Sequence, residues 1–281
     1  MSVKPQRQPQ VALPVSLTDD EMAQFQKLAK SAAGIDITES KRTMIYTRFV
    51  RRLRSLGLST FPEYLKLAAD TQGSEYQNFI NTVTTNLTYF FREPHHFEFL
   101  ANTAIPDLYD TQRRTAPLRF WSTGCSSGEE PYSIAMVLAA AGKKGGKDYR
   151  LLCTDIDTQM VAATQQGVFA ESRLRGLEAE HLRQWFTKDP QGQYVANDAL
   201  REGMMCRQLN LFEKIPLRTG IDVIFCRNVL IYFVKTHQRE IVTKFAKHQE
   251  PGQYLFLGHS ESLRDFDDYY ERVSNTVYRR I

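Results

Sequence analysis

The chain lacks several features that would assign it to familiar classes. Nowhere in its 281 residues is there an uninterrupted apolar run of membrane length, and no apolar stretch follows a basic start. A spanning helix and a secretory leader are therefore not expected, and the protein reads as soluble and cytoplasmic. Cysteine is scarce: Cys125, Cys153, Cys206 and Cys226 are far apart, without a C-x-x-C pair. Such spacing implies reduced thiols rather than a disulfide framework. Charge of one sign is lacking too, since 36 basic residues against 32 acidic ones leave a net +4. A balance this mild does not by itself argue for nucleic acid, so the distribution of charge decides more. Neither G-x-G-x-x-G nor G-x-x-x-x-G-K-[ST] occurs. Gly142-Lys143-Lys144-Gly145-Gly146-Lys147 follows a helix and is succeeded by Asp148 where Ser or Thr would be needed. No G-x-S-x-G elbow accompanies His259 and Ser260. Adjacent His95 and His96 would point roughly 100° apart on a helix, so they are expected to pack or cap, and no metal is expected.

What is present is a globular composition, 42% hydrophobic and 24% charged, long enough for one large domain and a small one. Residues 1–15 are polar and Pro-rich and read as a disordered tail. Residues 16–88 carry helical patterns only. Ser16 or Thr18 is placed to cap a helix whose first turn holds Asp19, Asp20 and Glu21. A second helix is expected over residues 39–56. There Ile45, Phe49, Leu53 and Leu56 share one face, and Lys41, Arg48, Arg51 and Arg52 the opposite one, with Arg54 at its edge. No acid lies between Lys41 and Arg54. Such a face is either solvated surface or a docking face for an acidic partner. Further helices are expected over residues 61–69 and 76–82. Residues 89–105 read as a linker, and residues 106–281 as a larger α/β domain.

That larger domain is organised around Phe120-Trp121-Ser122-Thr123-Gly124-Cys125-Ser126-Ser127-Gly128-Glu129-Glu130-Pro131-Tyr132. A short strand enters it and an apolar helix leaves it. Pro131 is tolerated in a first helical turn, and the two glutamates suit the positive end of the helix dipole. A strand, a glycine-containing turn and a helix N-terminus make the usual seat for a nucleotide-like ligand in an open α/β sheet. Carboxylates would repel phosphate there, whereas S-adenosylmethionine offers ribose hydroxyls, an ammonium and a sulfonium. The plainer alternative is that the glutamates only cap the helix. Residues 149–154 form a second strand ending in Asp155-Ile156-Asp157, where an acid can accept from ribose hydroxyls. Residues 184–211 interrupt the alternation with short strand-like runs, including Met204-Met205-Cys206-Arg207, and read as an antiparallel β-subdomain. Buried strands are then expected over residues 221–226, 254–257 and 277–279.

Several of these stretches together carry a family resemblance. They are Thr84-Thr85-Asn86-Leu87-Thr88 with Phe90-Phe91-Arg92-Glu93, the Ser126 to Ser133 turn, Asp155-Ile156-Asp157, Asn210-Leu211, and Cys226-Arg227-Asn228-Val229-Leu230-Ile231-Tyr232-Phe233. In this order they resemble the CheR family, bacterial methyltransferases that esterify glutamate side chains of chemotaxis receptors. The resemblance implies a small all-helical N-terminal domain and a Rossmann-like S-adenosylmethionine-dependent methyltransferase domain with an inserted antiparallel β-subdomain. It implies cofactor contacts from Asn86, Thr88, Arg92, Glu130, Asp155, Asn210, Leu211, Asn228 and Val229, and catalytic positions at Arg92 and Tyr232. It also implies docking of receptor helices on Arg48, Arg51, Arg52 and Arg54. The expected partner is the cytoplasmic helical domain of membrane chemoreceptors, with room for regulatory proteins. No nucleic acid, no membrane insertion and a monomer are expected. Residues 188–192 form a short loop without a second glycine, a departure that puts binding of a receptor tail by the β-subdomain in question.

The chemistry implied needs few groups. A glutamate carboxylate, with a reference pKa of about 4.3, is already ionised at neutral pH and needs no general base to attack a methyl group. Two rivals remain at this stage. A nucleic-acid amino-methyltransferase would place prolines after the Asn at the end of the fourth strand, whereas Asn228 is followed by Val229 and Leu230. A non-catalytic S-adenosylmethionine sensor is separated only by an activity assay.

Overall fold

Thr18 opens the first helix of the computed structural model, which describes residues 16–110, 116–263 and 268–281. The tail expected over residues 1–15 lies outside the described residues. The described residues divide into two compact units, the first ending at Thr84 and the second beginning at Thr85.

In the first unit, α1 (Asp19–Ala33) begins with a reciprocal cap. The Glu21 N–H donates to Thr18 Oγ1 at 3.3 Å, and the Thr18 N–H donates to Glu21 Oε2 at 2.8 Å. A short 3-10 turn, Glu39–Lys41, leads into α2 (Arg42–Leu56); α3 (Phe61–Ala68) and α4 (Ser74–Val83) follow. Ile45, Phe49 and Leu53 are buried as their spacing predicts, whereas Leu56, in the last turn of α2, is 36% exposed. The core is aromatic: Phe25, Phe49, Phe61, Tyr64 and Phe79 are fully buried, with Phe25 and Phe49 centroids 4.6 Å apart. Each ring of this size contributes roughly 1.5–3 kcal/mol by leaving water, which sustains a unit this small.

Among its described residues the second unit holds ten strands: β1 (Leu118–Ser122), β2 (Tyr149–Asp155), β3 (Val168–Phe169), β4 (Phe186–Lys188), β5 (Tyr194–Ala196), β6 (Met204–Gln208), β7 (Val223–Cys226), β8 (Tyr254–Leu257), β9 (Tyr270–Ser274) and β10 (Val277–Arg280). Seven form one sheet in the order β6-β2-β1-β7-β8-β10-β9. The ladder is parallel from β6 to β8, and β10 pairs antiparallel with both β8 and β9. Helices cover the faces, so strands such as β7 and β8 are buried throughout. Leu118 and Phe120 pack with Ile134 and Leu138 on one face. Trp121 and Ile224 pack with Phe245 on the other.

Three expectations are corrected here. Met204 to Arg207 does not belong to the β-subdomain. It lies in the main sheet, parallel to β2 with Cys153 opposite Cys206, because the chain reaches it through a crossover rather than a hairpin. The small antiparallel sheet is instead β3-β5-β4, and it draws in Val168–Phe169, which precede the expected insertion. The expected linker over residues 89–105 is not a linker. It forms α5 (Pro94–Phe99), a π-type turn Leu100–Ala104 and the start of α6 (Ile105–Asp110), with Phe97, Leu100, Ala104 and Ile105 in the core. The boundary between the units falls at Thr84 rather than at residue 88.

Candidate active site

From β1 the sheet grows toward β2 on one side and toward β7 on the other. In open α/β sheets a ligand crevice lies at such a switch, beyond the carboxyl ends of the strands. The loops after β1, β2, β6 and β7 carry the residues singled out above.

After β1 the chain turns through Ser126 (φ 49°) and Gly128 (φ 106°) into α7 (Glu129–Ala140). Gly128 is needed for that left-handed conformation. At Gly124 a β-carbon would lie 2.6 Å from Val229 Cγ2, so the loops after β1 and β7 touch there. Asp155, at the end of β2, holds the turn from below: Oδ2 accepts the Ser126 N–H at 2.9 Å and Oδ1 the Asp157 N–H at 3.0 Å. Burial pushes its pKa up to about 6, against the pull of those N–H groups. Asp157 takes the capping role, with Oδ1 accepting the Gln159 N–H that opens α8 (Thr158–Gln166) and Oδ2 accepting Asn86 Nδ2 at 2.8 Å. Asn86 is thereby tied to the second strand, and its carbonyl accepts from Ser126 Oγ at 3.2 Å.

Glu130 is buried, and both its oxygens are engaged. Oε1 accepts from Ser122 Oγ at 2.8 Å and Oε2 from Arg227 Nη1 at 3.1 Å. Burial raises its pKa, while Arg227 and the Ser122 hydroxyl oppose the rise. Arg227 had no assigned role in the sequence reading, yet it is the centre of this side of the crevice. Its guanidinium also lies 3.4 Å from Glu93 Oε2, donates to the Arg92 carbonyl and sits over the Phe97 ring. Glu261, likewise missed, is a buried carboxylate that accepts the N–H groups of Asn228 (2.8 Å), Ile231 (3.2 Å) and Gly258 (2.6 Å). Burial raises its pKa and those N–H groups hold it back. Asn228 adopts φ 59°, and Gly258 leaves it room, since a β-carbon there would meet Asn228 N at 2.7 Å. The available signals were a charged residue directly after the buried strand β7 and an acid just after β8.

Residues 85–92 pass over these loops. Arg92 is half-buried and donates through Nη1 to the Leu87 carbonyl at 2.8 Å, and the Tyr232 hydroxyl donates to the Thr85 carbonyl at 3.2 Å. Thr88 is half-buried on the same segment. Asn210 Oδ1 accepts the Phe212 N–H at 3.0 Å, which shapes the turn after β6 and buries Leu211. The expectation that His95 and His96 diverge is not met. Their rings lie 4.1 Å apart, and Glu93, His95 and His96 bring potential ligand atoms within 4.8 Å of one another. His96 is engaged by Thr276 Oγ1 at 2.8 Å, and burial pushes its pKa down to about 3.

The expected docking arginines do not form one free face. In the first unit, Arg48 Nη1 donates to the carbonyls of Thr82 (3.1 Å) and Val83 (3.2 Å), at the negative end of the α4 dipole. Arg52 pairs with Glu75, Nε to Oε2 at 2.9 Å, a contact that lowers the Glu75 pKa. The acid absent from α2 arrives from α4. Arg51 and Arg54 remain exposed.

A doubly wound, mostly parallel sheet with its final hairpin antiparallel, and acidic rather than phosphate-binding loops at its switch point, defines the class of Rossmann-like methyltransferases. Residues 86–279 match the family model described as "CheR methyltransferase, SAM binding domain", and residues 20–84 match "CheR methyltransferase, all-alpha domain". The chain belongs to the CheR methyltransferase family and is an S-adenosylmethionine-dependent methyltransferase. It is similar to the chemotaxis protein methyltransferase of Escherichia coli K12, 40% identical over 270 residues that cover 94% of this chain and 92% of the relative. The Salmonella typhimurium protein of the same name is 39% identical, covering 94% and 91%. A probable chemotaxis protein methyltransferase of Rhizobium etli is 36% identical, covering 89% and 95%. Among the described residues no helix is long and apolar enough to cross a membrane.

Proposed function

We propose that this chain transfers a methyl group from S-adenosylmethionine to glutamate side chains on the cytoplasmic helices of chemoreceptors, leaving glutamate methyl esters and S-adenosylhomocysteine. Chemotactic adaptation is the process it serves, in line with the names of its relatives. The observation that carries the reading is the meeting of Arg92 and Tyr232 on one segment. Both side chains anchor to carbonyls of residues 85–88, beside the Asn228–Val229 loop that touches Gly124.

The donor set suits the cofactor. Asp155 is a buried acid that accepts the backbone N–H groups of Ser126 and Asp157 at one oxygen each, with that of Ile156 also acting on it, and a carboxylate's four lone-pair sites still leave room for a ribose hydroxyl. Asn86, Thr88, Glu130, Asn210, Leu211, Asn228 and Val229 are the further residues we assign to cofactor binding, and Glu130 is oriented for it by Ser122 and Arg227. When bound, S-adenosylmethionine supplies an electrophilic methyl on a cationic sulfur. The protein's part is then to strip water from the acceptor carboxylate and align it. Arg92 receives the carboxylate by forked hydrogen bonds, a positioning role, because a tight ion pair would also stabilise the ground state. Tyr232 gives its hydroxyl proton to Thr85, so it reaches the carboxylate only by releasing that bond, and otherwise walls the methyl path.

The test is transfer of radiolabel from S-adenosylmethionine to a receptor cytoplasmic fragment, with release of the label by mild base as an ester requires. Base-stable label, or none with every receptor fragment tried, overturns the reading. Tyr232→Phe lowers turnover with S-adenosylhomocysteine affinity intact; equal losses in both would place Tyr232 in the cofactor pocket alone.

A further inference from the structure

The segment that carries Asn86 and Thr88 has two faces. Burial alternates along it: Asn86 and Thr88 are half-buried, whereas Leu87 is 72% and Tyr89 52% exposed. Alternation of this kind sends successive side chains to opposite sides. The inward side belongs to the cofactor on the reading above, so the outward side is what an arriving acceptor meets. A third large apolar side chain, Ile231, is 49% exposed next to Tyr232, whose hydroxyl joins the Thr85 carbonyl. Eight large hydrophobic residues are exposed among the described residues, and three of them fall on these two short segments. A concentration like that at the mouth of a site marks a contact surface. Among them stands a cation. Arg92 is bonded to the Leu87 carbonyl, and its guanidinium lies 5.9 Å from the Tyr89 ring centroid.

We propose that Leu87, Tyr89 and Ile231 form an apolar collar around the acceptor port, which grips the apolar side chains flanking the acceptor glutamate on one amphipathic helix of the protein substrate. The inference rests on the proposed function and deepens it. A cation beside an aromatic ring, with exposed apolar residues on the same two segments, complements a carboxylate with apolar neighbours. On a helix, the residues three and four positions from the acceptor glutamate share its face, so their side chains arrive at the collar with it. The collar thus selects among glutamates by what stands one turn away, while Arg92 positions whichever carboxylate enters.

The test is the triple variant Leu87→Ser, Tyr89→Ser, Ile231→Ser, assayed with a receptor cytoplasmic fragment. Three exposed side chains are altered, so the fold is expected to survive, as circular dichroism would show. S-adenosylhomocysteine affinity by calorimetry and turnover at saturating receptor should stay near wild type, while KM for receptor and the directly measured receptor Kd both rise roughly tenfold or more. An unchanged receptor Kd overturns the collar. Loss of S-adenosylhomocysteine affinity in step with KM would assign the three residues to the cofactor wall. A change in sedimentation from dimer to monomer would assign them to self-association instead. The binding arm reads the collar even if no methyl moves. Wild-type enzyme that binds receptor but leaves it unlabelled overturns the proposed function alone.

Discussion

The two units of this protein handle charge in opposite ways. In the second unit, the Arg227 side chain is 1% exposed and stands between Glu130 and Glu93, themselves 11% and 14% exposed. In the first unit, Arg52 is 27% exposed beside Glu75, and Arg51 and Arg54 lie open to water. A buried charge costs several kcal/mol unless it is matched, so the residues around Arg227 leave it little freedom to move. An exposed charge costs little and fixes little, but it acts at a distance on whatever approaches. The buried set therefore shapes the pocket, and the exposed set is available to a partner.

The sharpest way to break that contrast is to remove the central cation. Arg227→Met leaves Glu130 and Glu93 buried without their shared partner, and losing one member of such a pair costs roughly 3–5 kcal/mol. Urea denaturation should show that loss in the second unit, together with loss of S-adenosylhomocysteine binding. Arg52→Met in the first unit should cost less, roughly 1–3 kcal/mol, because Glu75, 11% exposed, keeps the Asn78 amide as a donor when Arg52 is gone. Equal costs would mean that burial does not separate the two cations.

Glu261→Gln comes next in size. One of its oxygens becomes an N–H₂ facing the N–H groups of Asn228, Ile231 and Gly258, and at least one donor in a buried site is left without an acceptor. The expected loss is roughly 1–3 kcal/mol, felt as about tenfold or more weaker S-adenosylhomocysteine binding with far-ultraviolet circular dichroism unchanged. Binding at the wild-type level would show that the loop after β7 holds its shape without Glu261.

Why Arg227 and Glu261 were not legible as site residues follows from where their partners lie. The turn after β1, the acid ending β2 and the Asn after β7 announce themselves locally, by glycine, helix-start chemistry and strand length. Arg227 meets Glu130 across 97 positions of sequence and the Arg92 carbonyl across 135, and no local pattern reports such a meeting. The same reason explains the basic face. Periodicity correctly buried Ile45, Phe49 and Leu53, but it could not show that α4 brings Glu75 to Arg52 and its own carbonyl end to Arg48. β6 was misassigned because short runs such as Met204 to Arg207 look alike in a hairpin and at the edge of a parallel sheet; only the crossover decides.

A smaller effect tests the pocket by pH. Asp155 has its pKa raised to about 6 by burial, above the roughly 3.9 of an unfolded aspartate. A raised carboxylate penalises the folded state when it is ionised, so this group's contribution to apo stability is full below about pH 4 and is lost as pH rises through 6. Cofactor binding should run the other way if the ionised carboxylate accepts ribose hydroxyls. Its affinity should weaken several-fold between pH 7.5 and 5 by calorimetry, and Asp155→Asn should flatten that dependence. A parallel slope in the variant would move the ribose contact elsewhere, Asp157 first.

The smallest effect belongs to the exposed arginines, where the contrast is sharpened rather than broken. Arg48 and Arg52 serve α4, so reversing them would confound docking with the stability of the first unit. Arg51→Glu with Arg54→Glu changes charge at exposed positions and leaves that helix packing alone. Exposed pairs are individually worth under about 1 kcal/mol, and complementary surface charge acts mainly on encounter rate. The double variant should keep its urea midpoint and its S-adenosylhomocysteine affinity. Its kcat/KM for receptor should fall several-fold at low salt, with kcat little changed. Raising ionic strength past about 0.15 M, where the screening length is about 8 Å, should slow the wild type and bring the two enzymes together. If they differ equally at every salt concentration, Arg51 and Arg54 make close contacts rather than a steering field. If they never differ, this face of α2 is solvated surface, and receptor recognition rests on the collar at the mouth of the second unit.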